Sequence, residues 1–271
     1  IESGMEMSWR SKNLSFLKTL VSLFITLWIA IIGVLYICVY GGLVIIVGSI
    51  IGKYKGKKWK KRFISREVSR FGRAAFILSG SRVTVKGKEN VPEDGPMVIA
   101  ANHQSAFDIP LIPGYVYPGI SFIAKKELSK IPGISWFIKA LDGVYIDRGN
   151  KLQTAGAMRK ILKILKEDGT ILLFPEGTRS ESGELGEFKE GSLSIPFKLG
   201  VKVLPVALDG TGKLMKKNGY LITPSRINLS IAEPISPEGF ESEERFRKEV
   251  YNIIKKNLES SRNRGDSNVT G

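Results

Sequence analysis

A single histidine, His103, stands in the run Ala101-Asn102-His103-Gln104-Ser105-Ala106-Phe107-Asp108, directly after the apolar stretch Met97 to Ala101. That places it at the end of a strand, where open α/β sheets gather their ligands. Asp108, five residues on, does not share a helix face with His103, but a strand-to-helix turn can fold it back onto the imidazole. A carboxylate on Nδ1 fixes the tautomer, leaves Nε2 free to accept a proton and stabilises the imidazolium that results. On spacing alone, a buried histidine with a purely structural aspartate partner is the commoner occurrence of this pattern.

What the pair lacks narrows its chemistry. The sequence holds no G-x-S-x-G elbow, and its one cysteine, Cys38, lies inside an apolar segment. The nucleophile is then most simply a hydroxyl carried by the substrate. With one histidine and no usable thiolate, a zinc site would need mainly oxygen ligands, so no metal is expected. Ala207 to Leu214 resembles a phosphate-binding loop but lacks the Ser or Thr that would hold magnesium.

A second cluster, Phe174-Pro175-Glu176-Gly177-Thr178-Arg179-Ser180, again follows an apolar run. Glycine lets the backbone approach a ligand closely, and the Arg179 guanidinium can grip a phosphate with two parallel N–H bonds. An exposed turn with an ordinary surface arginine fits the same residues. Lys125 and Arg148 also follow predicted strands, so His103, Lys125, Arg148 and Arg179 would share one electropositive crevice.

These residues are positioned by a pattern of short apolar runs alternating with amphipathic stretches. The reading is α/β, a mixed, largely parallel central sheet flanked by helices, with most strands buried on both faces. Strands are predicted at Arg82 to Lys86, Met97 to Ala101, Ser121 to Ala124, Gly143 to Ile146, Thr170 to Phe174, Val203 to Ala207 and Ile227 to Ile231. Pro205 makes the sixth an edge strand or a bulge. Helices are predicted over Lys151 to Lys166 and around Phe246, Val250, Ile253, Ile254 and Leu258.

The chain has 271 residues and a net charge of +15, unevenly spread. Thr19 to Gly52 carries no charge, whereas Lys53 to Arg73 has ten Lys or Arg against one acid, Glu67. The uncharged stretch exceeds a cleaved signal peptide. As one helix its 34 residues would measure about 51 Å against a hydrocarbon core of roughly 30 Å. Gly41 and Gly42 would break it. The small residues Ser15, Thr19, Ser22, Thr26, Ala30 and Gly33 form a stripe for a second helix bearing Gly48, Ser49 and Gly52. With basic residues on both flanks, this predicts a helical hairpin seated in one leaflet, favoured over a single tilted span, with the site at the cytoplasmic face of the membrane. The implied organisation is a membrane-associated hairpin with basic flank at 1–73, an α/β domain at 74–258 and a disordered tail at 259–271. An anionic lipid surface suits the basic segment. A membrane-tethered nucleic-acid binder would suit the charge too, but Lys53 to Arg73 interleaves only Tyr54, Trp59, Phe63 and Phe71, without a nucleic-acid motif, so no nucleic-acid partner is expected.

Taken in order, Asn102-His103-Gln104-Ser105 with Asp108, Val144 to Arg148, Phe174 to Ser180 and Val203 to Val206 resemble the four blocks of the glycerolipid acyltransferase family. Within it the resemblance is to bacterial 1-acylglycerol-3-phosphate (lysophosphatidic acid) acyltransferases, and it covers roughly Arg82 to Leu208. It implies that His103 deprotonates the free glycerol hydroxyl, which attacks an acyl thioester, while Asp108 orients the imidazole. Arg179 and Glu176, with Gly177 and Thr178, would bind the acceptor, and Lys125 and Arg148 would lie near its phosphate. The implied donor is acyl-CoA or an acyl carrier protein, as co-substrate and without a further cofactor. The implied product is phosphatidic acid. Glycerol 3-phosphate or another lysophospholipid is the alternative acceptor.

Overall fold

The computed structural model describes residues 2–93, 95–147 and 151–267. The chain opens with α1 (Glu2–Leu35), one π-helical turn (Tyr36–Tyr40), α2 (Gly41–Lys55) and α3 (Lys57–Leu78). The globular part follows as β1 (Arg82–Lys86), β2 (Met97–Ala101), α4 (Asp108–Tyr115), β3 (Ile120–Lys125), α5 (Ile134–Ala140), β4 (Val144–Ile146) and α6 (Lys151–Lys166). It closes with β5 (Thr170–Leu173), α7 (Ser194–Leu199), β6 (Val203–Asp209), α8 (Thr211–Leu214), β7 (Arg226–Ile231) and α9 (Glu243–Ser267).

The seven strands form one sheet in the order β1-β7-β6-β2-β5-β3-β4. Every pairing is parallel except β6 with β7. The carboxyl ends of β6, β2, β5, β3 and β4 therefore meet at one edge. Alternation through the central strands divides the core into two layers. Met97, Ile99 and Ala101 of β2 face a cluster with Phe76 of α3 and Leu111 and Ile112 of α4. Val98 and Ala100 face Ile161 and Leu165 of α6 and Phe246, Val250, Ile254 and Leu258 of α9. All five β2 residues are buried, whereas β1, at the rim, alternates between exposed and half-buried.

Pro205 is tolerated in an interior strand, not at the expected edge. β6 lies between β2 and β7. Val203 and Pro205, two apart, direct their backbone groups to the same side, where Val203 pairs with Ile235 and the Pro205 carbonyl accepts from Ala232. The missing N–H faces the gap between Ala232 and Ile235, where the neighbouring chain has left the ladder.

The N-terminal helices depart from expectation more deeply. No reversal occurs at Gly41–Gly42. Helix continues through both, loosened by the π turn in which the Gly41 N–H donates to the Tyr36 carbonyl. The chain reverses at Gly56, whose φ of 88° suits glycine, so the hairpin is α2 against α3. Gly48 and Gly52 face α3 at Phe63 and Lys60. Among the small residues of α1, Ser22 and Thr26 meet a loop of the α/β domain rather than the glycines of α2. Ser22 Oγ lies 3.1 Å from Thr223 Oγ1, and Thr26 Oγ1 accepts the Ile222 N–H at 2.8 Å. Gly41 lies directly against the Phe137 ring of α5, which leaves no room for a Cβ there. Close packing, not chain breaking, explains this glycine.

Helix α3 runs past the boundary expected at residue 73 and packs on α4 through Gly72, where a Cβ would come 2.3 Å from the Pro110 carbonyl oxygen. Arg73 Nε donates to the Gly114 carbonyl at 2.7 Å, at the end of α4. At the other terminus α9 continues to Ser267 where a disordered tail was expected. Its extension is held by Arg262, which pairs with Glu184 at 2.8 Å and Asp209 at 3.5 Å, and by Ser261, whose Oγ lies 3.1 Å from Ser230 Oγ.

Candidate active site

Helix α4 begins at Asp108, and its first residue builds the turn between β2 and the helix. One carboxylate oxygen, Oδ2, accepts the N–H groups of Gln104 at 2.7 Å and Ser105 at 2.8 Å. The same oxygen lies 2.8 Å from His103 Nδ1. The two backbone bonds curl residues 103–107 so that positions five apart in sequence meet. A carboxylate can only accept here, so Nδ1 carries the hydrogen and Nε2 is left as the proton acceptor. Asp108 is fully buried and lies where the helix dipole favours negative charge. Its Oδ1 has no hydrogen-bond partner among the described residues.

The imidazole is held from other sides as well. Its ring stacks on Phe174 at 3.9 Å between centroids, nearly parallel. The His103 carbonyl accepts the Ser180 N–H at 2.7 Å, and the His103 N–H donates to Glu176 Oε1 at 2.8 Å. The ring itself stays 16% exposed, open to a substrate on one side. Asn102, just before, bonds both backbone groups of Leu208, which locks the end of β2 to β6. Ser105 Oγ donates to the Met215 carbonyl at 2.8 Å, and Gln104 Nε2 to that of Gly183 at 3.0 Å.

The expected acceptor residues divide in two. Glu176 is buried, and both its oxygens receive backbone donors, His103 N–H and Gly186 N–H at 2.9 Å. Its carboxylate joins two loops rather than facing an open crevice. Burial raises its pKa, the nearby Asp108 charge raises it further, and the two backbone N–H bonds and His103 pull it back. Gly177, in the left-handed region at φ 68°, closes the turn with its N–H on the Phe174 carbonyl. Thr178 is exposed. Arg179 is half-buried, with no hydrogen bond or ion pair among the described residues, so its guanidinium is available to an anion.

Lys125 is exposed at the carboxyl end of β3, on the same sheet edge as His103. Arg148 lies outside the described residues. Its strand, β4, ends on that edge beside β3. One cation was missed in the sequence: Lys189, whose backbone N–H donates to the Pro175 carbonyl and whose ammonium lies 3.0 Å from where a Cβ on Gly177 would stand. No spacing rule links positions so far apart. The roles of Glu176, Asn102 and Phe174 as supports of the histidine were equally non-local.

A histidine–aspartate pair at the carboxyl edge of the sheet, with Lys125 and Arg179 near by and in no ion pair among the described residues, is an arrangement that suits an anionic substrate bringing its own hydroxyl. Comparison with known proteins agrees with that class: the chain belongs to the acyltransferase family, whose profile matches residues 82–209. The chloroplastic 1-acyl-sn-glycerol-3-phosphate acyltransferase LPAT1 of Arabidopsis thaliana is 33% identical over 156 residues, 57% of this chain and 44% of that protein. The 1-acyl-sn-glycerol-3-phosphate acyltransferase of Pseudomonas aeruginosa is 33% identical over 164 residues, 60% of this chain and 63% of its own length. The chain thus spans about half the length of the curated relatives it matches. The crystal structure of the 1-acyl-sn-glycerophosphate acyltransferase PlsC from Thermotoga maritima superposes with a TM-score of 0.84 at 40% identity, over 90% of this chain and 98% of that one.

Proposed function

We propose that the protein transfers a fatty acyl group from an acyl thioester to the free sn-2 hydroxyl of 1-acylglycerol 3-phosphate, giving phosphatidic acid for phospholipid synthesis. The observation that carries this reading is His103, fixed at Nδ1 by Asp108 and still partly exposed, with no hydrogen bond to Nε2 from a hydroxyl or thiol among the described residues. Nε2 takes the proton of the acceptor hydroxyl as its oxygen bonds to the thioester carbonyl. The tetrahedral adduct collapses with loss of the C–S bond, and the proton returns from the imidazolium to the departing sulfur. A thiol with a pKa near 8.5 leaves without a strong acid, so a single base suffices and neither metal nor cofactor is needed. The coenzyme A or carrier-protein arm is the donor in this scheme. Arg179 grips the acceptor phosphate, with Lys125 on the same sheet edge adding positive charge and Arg148, two residues after β4 in sequence, the further cation of this scheme. Glu176 and Gly177 shape the loop, and Thr178 offers a hydroxyl to the same group.

The membrane partner in this proposal is one anionic leaflet, with the site at its cytoplasmic face. A helix over Thr19–Lys55 is long and apolar enough to cross a membrane. What supports a seat within one leaflet is where the domain grips it. Ile25 and Ile29 pack against the sheet-side core, and Val44 packs with Ile64 and Leu141. From Ile25 to Val44 is about 29 Å of helix, nearly the roughly 30 Å of hydrocarbon. A helix crossing upright would carry the α/β domain into the bilayer with it. Its opposite face, with Phe24, Leu27, Ile31 and Leu35 all more than half exposed, is left for lipid. The short hairpin of α2 and α3 brings the basic residues back to the surface.

Purified protein in vesicles, given labelled acyl-CoA and acyl carrier protein in turn, tests the reading against a panel of acceptors. Lysophosphatidate is expected to accept the acyl group well above glycerol 3-phosphate and other lysophospholipids. Preference for either of those reassigns the acceptor, and no transfer to any hydroxyl overturns the proposal.

A further inference from the structure

Two surface segments outside the apolar helix also present large apolar side chains to solvent. Tyr220 is 88% exposed with Leu221 at 41%, and Ile131 is 43% exposed with Trp136 at 41%. Neither segment stands alone. The first is tied to α1 by Ile222 on Thr26 and Thr223 on Ser22. The second lies against the π turn and α2: Gly133 abuts Ile37, Phe137 abuts Gly41, and Trp136 stands 3.6 Å from where a Cβ on Gly42 would be. The contacts at Thr26 and Gly42 are 16 residues apart, about 24 Å along the helix.

Both segments share a composition suited to a lipid surface. Each carries one amphipathic aromatic ring, and such rings settle at headgroup level. Each is flanked by exposed lysines, Lys213 and Lys216 beside Tyr220, Lys130 and Lys139 around Trp136. Lysines so placed keep their stems on apolar surface while the ammonium reaches anionic headgroups. A protein partner would have to cover two patches separated by the apolar helix itself. A leaflet that receives the helix lies next to both, because each segment touches that helix.

We propose that the segments around Tyr220 and Trp136 dock into the headgroup layer of an anionic leaflet, flanking the apolar helix and fixing how the globular part faces the membrane. This rests on the leaflet seat proposed above. It has a consequence for the site, since each segment is continuous with it. Ser105, two residues after His103, donates to the Met215 carbonyl at the root of the Tyr220 segment. The Trp136 segment descends from β3 just after Lys125. Docking at both points sets the sheet edge that carries His103 and Lys125 toward the lipid from which the acceptor comes.

The test uses the full chain with Cys38→Ser and one environment-sensitive fluorophore on a single new thiol, at Tyr220→Cys, Trp136→Cys, Phe24→Cys or Lys256→Cys. Vesicles contain phosphatidylcholine and phosphatidylglycerol, with nitroxide quenchers at headgroup or deep acyl positions. The labels at 220 and 136 are expected to shift to the blue and be quenched severalfold more by the headgroup nitroxide than the label at 256. The label at 24 is expected to respond to the deep one. Water-like labels at 220 and 136 beside a quenched label at 24 overturn the inference while leaving the leaflet seat intact. A blue shift at 220 and 136 that needs no vesicles and grows with protein concentration assigns the patches to a second copy and equally overturns it. An unquenched label at 24 overturns the leaflet seat, and this inference with it.

Discussion

Replacing Asp108 by Asn separates a catalytic from a structural aspartate more cleanly than removing it does. In the wild type Oδ2 collects three donors while Oδ1 has none. The amide oxygen of Asn takes the Oδ2 position, because the alternative would set an NH2 group against two backbone N–H groups and the imidazole N–H. The turn and the tautomer both survive, and the amide NH2 takes the partnerless Oδ1 position. What disappears is the negative charge that stabilises the imidazolium. A hydrogen bond to a charged group contributes about 1.5–3 kcal/mol, which at ~1.36 kcal/mol per decade is a fall of about 10- to 150-fold in kcat. His103→Ala removes the base and is expected to lose about 10²- to 10⁴-fold. Asp108→Ala also strands two buried N–H groups and should lower stability, at about 1–3 kcal/mol for each. Steady-state acyl transfer beside thermal unfolding distinguishes these. An Asp108→Asn protein with kcat within twofold of wild type, or one whose activity falls only as far as its folded fraction, would refute the reasoning.

Three further outcomes follow from the same geometry. Glu176→Gln loses the acceptor for Gly186 N–H and should destabilise by about 1–3 kcal/mol at neutral pH. Since burial raises the Glu176 pKa in the folded state, the unfolded chain ionises first as pH rises. The stability this group contributes is therefore present in acid and lost as pH climbs through the raised value. The Tm gap between wild type and Glu176→Gln should narrow in that window, and a gap independent of pH counts against the assignment. Arg179→Ala removes a side chain without a described partner, so unfolding should move by less than about 0.5 kcal/mol while KM for a phosphorylated acceptor rises. An unchanged KM removes it from the acceptor site. Gly72→Ala forces a methyl group against the Pro110 carbonyl and pushes α3 from α4, an overpacking that costs about 1–3 kcal/mol and is read by denaturant unfolding.

Much of the fold was legible because it is written locally. Alternation and apolar runs located all seven strands within a residue or two, and the 3.6-residue period located α6 and the first half of α9. The site was legible where its parts are neighbours in sequence: a histidine at a strand end with an aspartate at the next helix start, and a glycine–arginine turn after a second strand. Other features answer to partners far away along the chain. Glycines at 41 and 42 carry no local sign that they serve Phe137 and Trp136 rather than a turn, and Pro205 none that its neighbour strand swerves where the N–H is missing. Glu176 belongs to a turn whose composition suggested a ligand, yet the protein's own backbone N–H groups converge on it from residues 103 and 186.

The sequence by itself determined which side chains were on offer: one histidine, a carboxylate five residues on, lysines and arginines after strand ends and a long uncharged stretch. Residue type and short-range spacing suffice for that, since they set protonation, backbone dihedrals and burial period. Only the tertiary structure decided which groups face outward as tools and which turn inward as supports, and where the apolar helix is gripped. Those outcomes depend on close packing between segments tens to hundreds of residues apart, and no local pattern encodes such a contact.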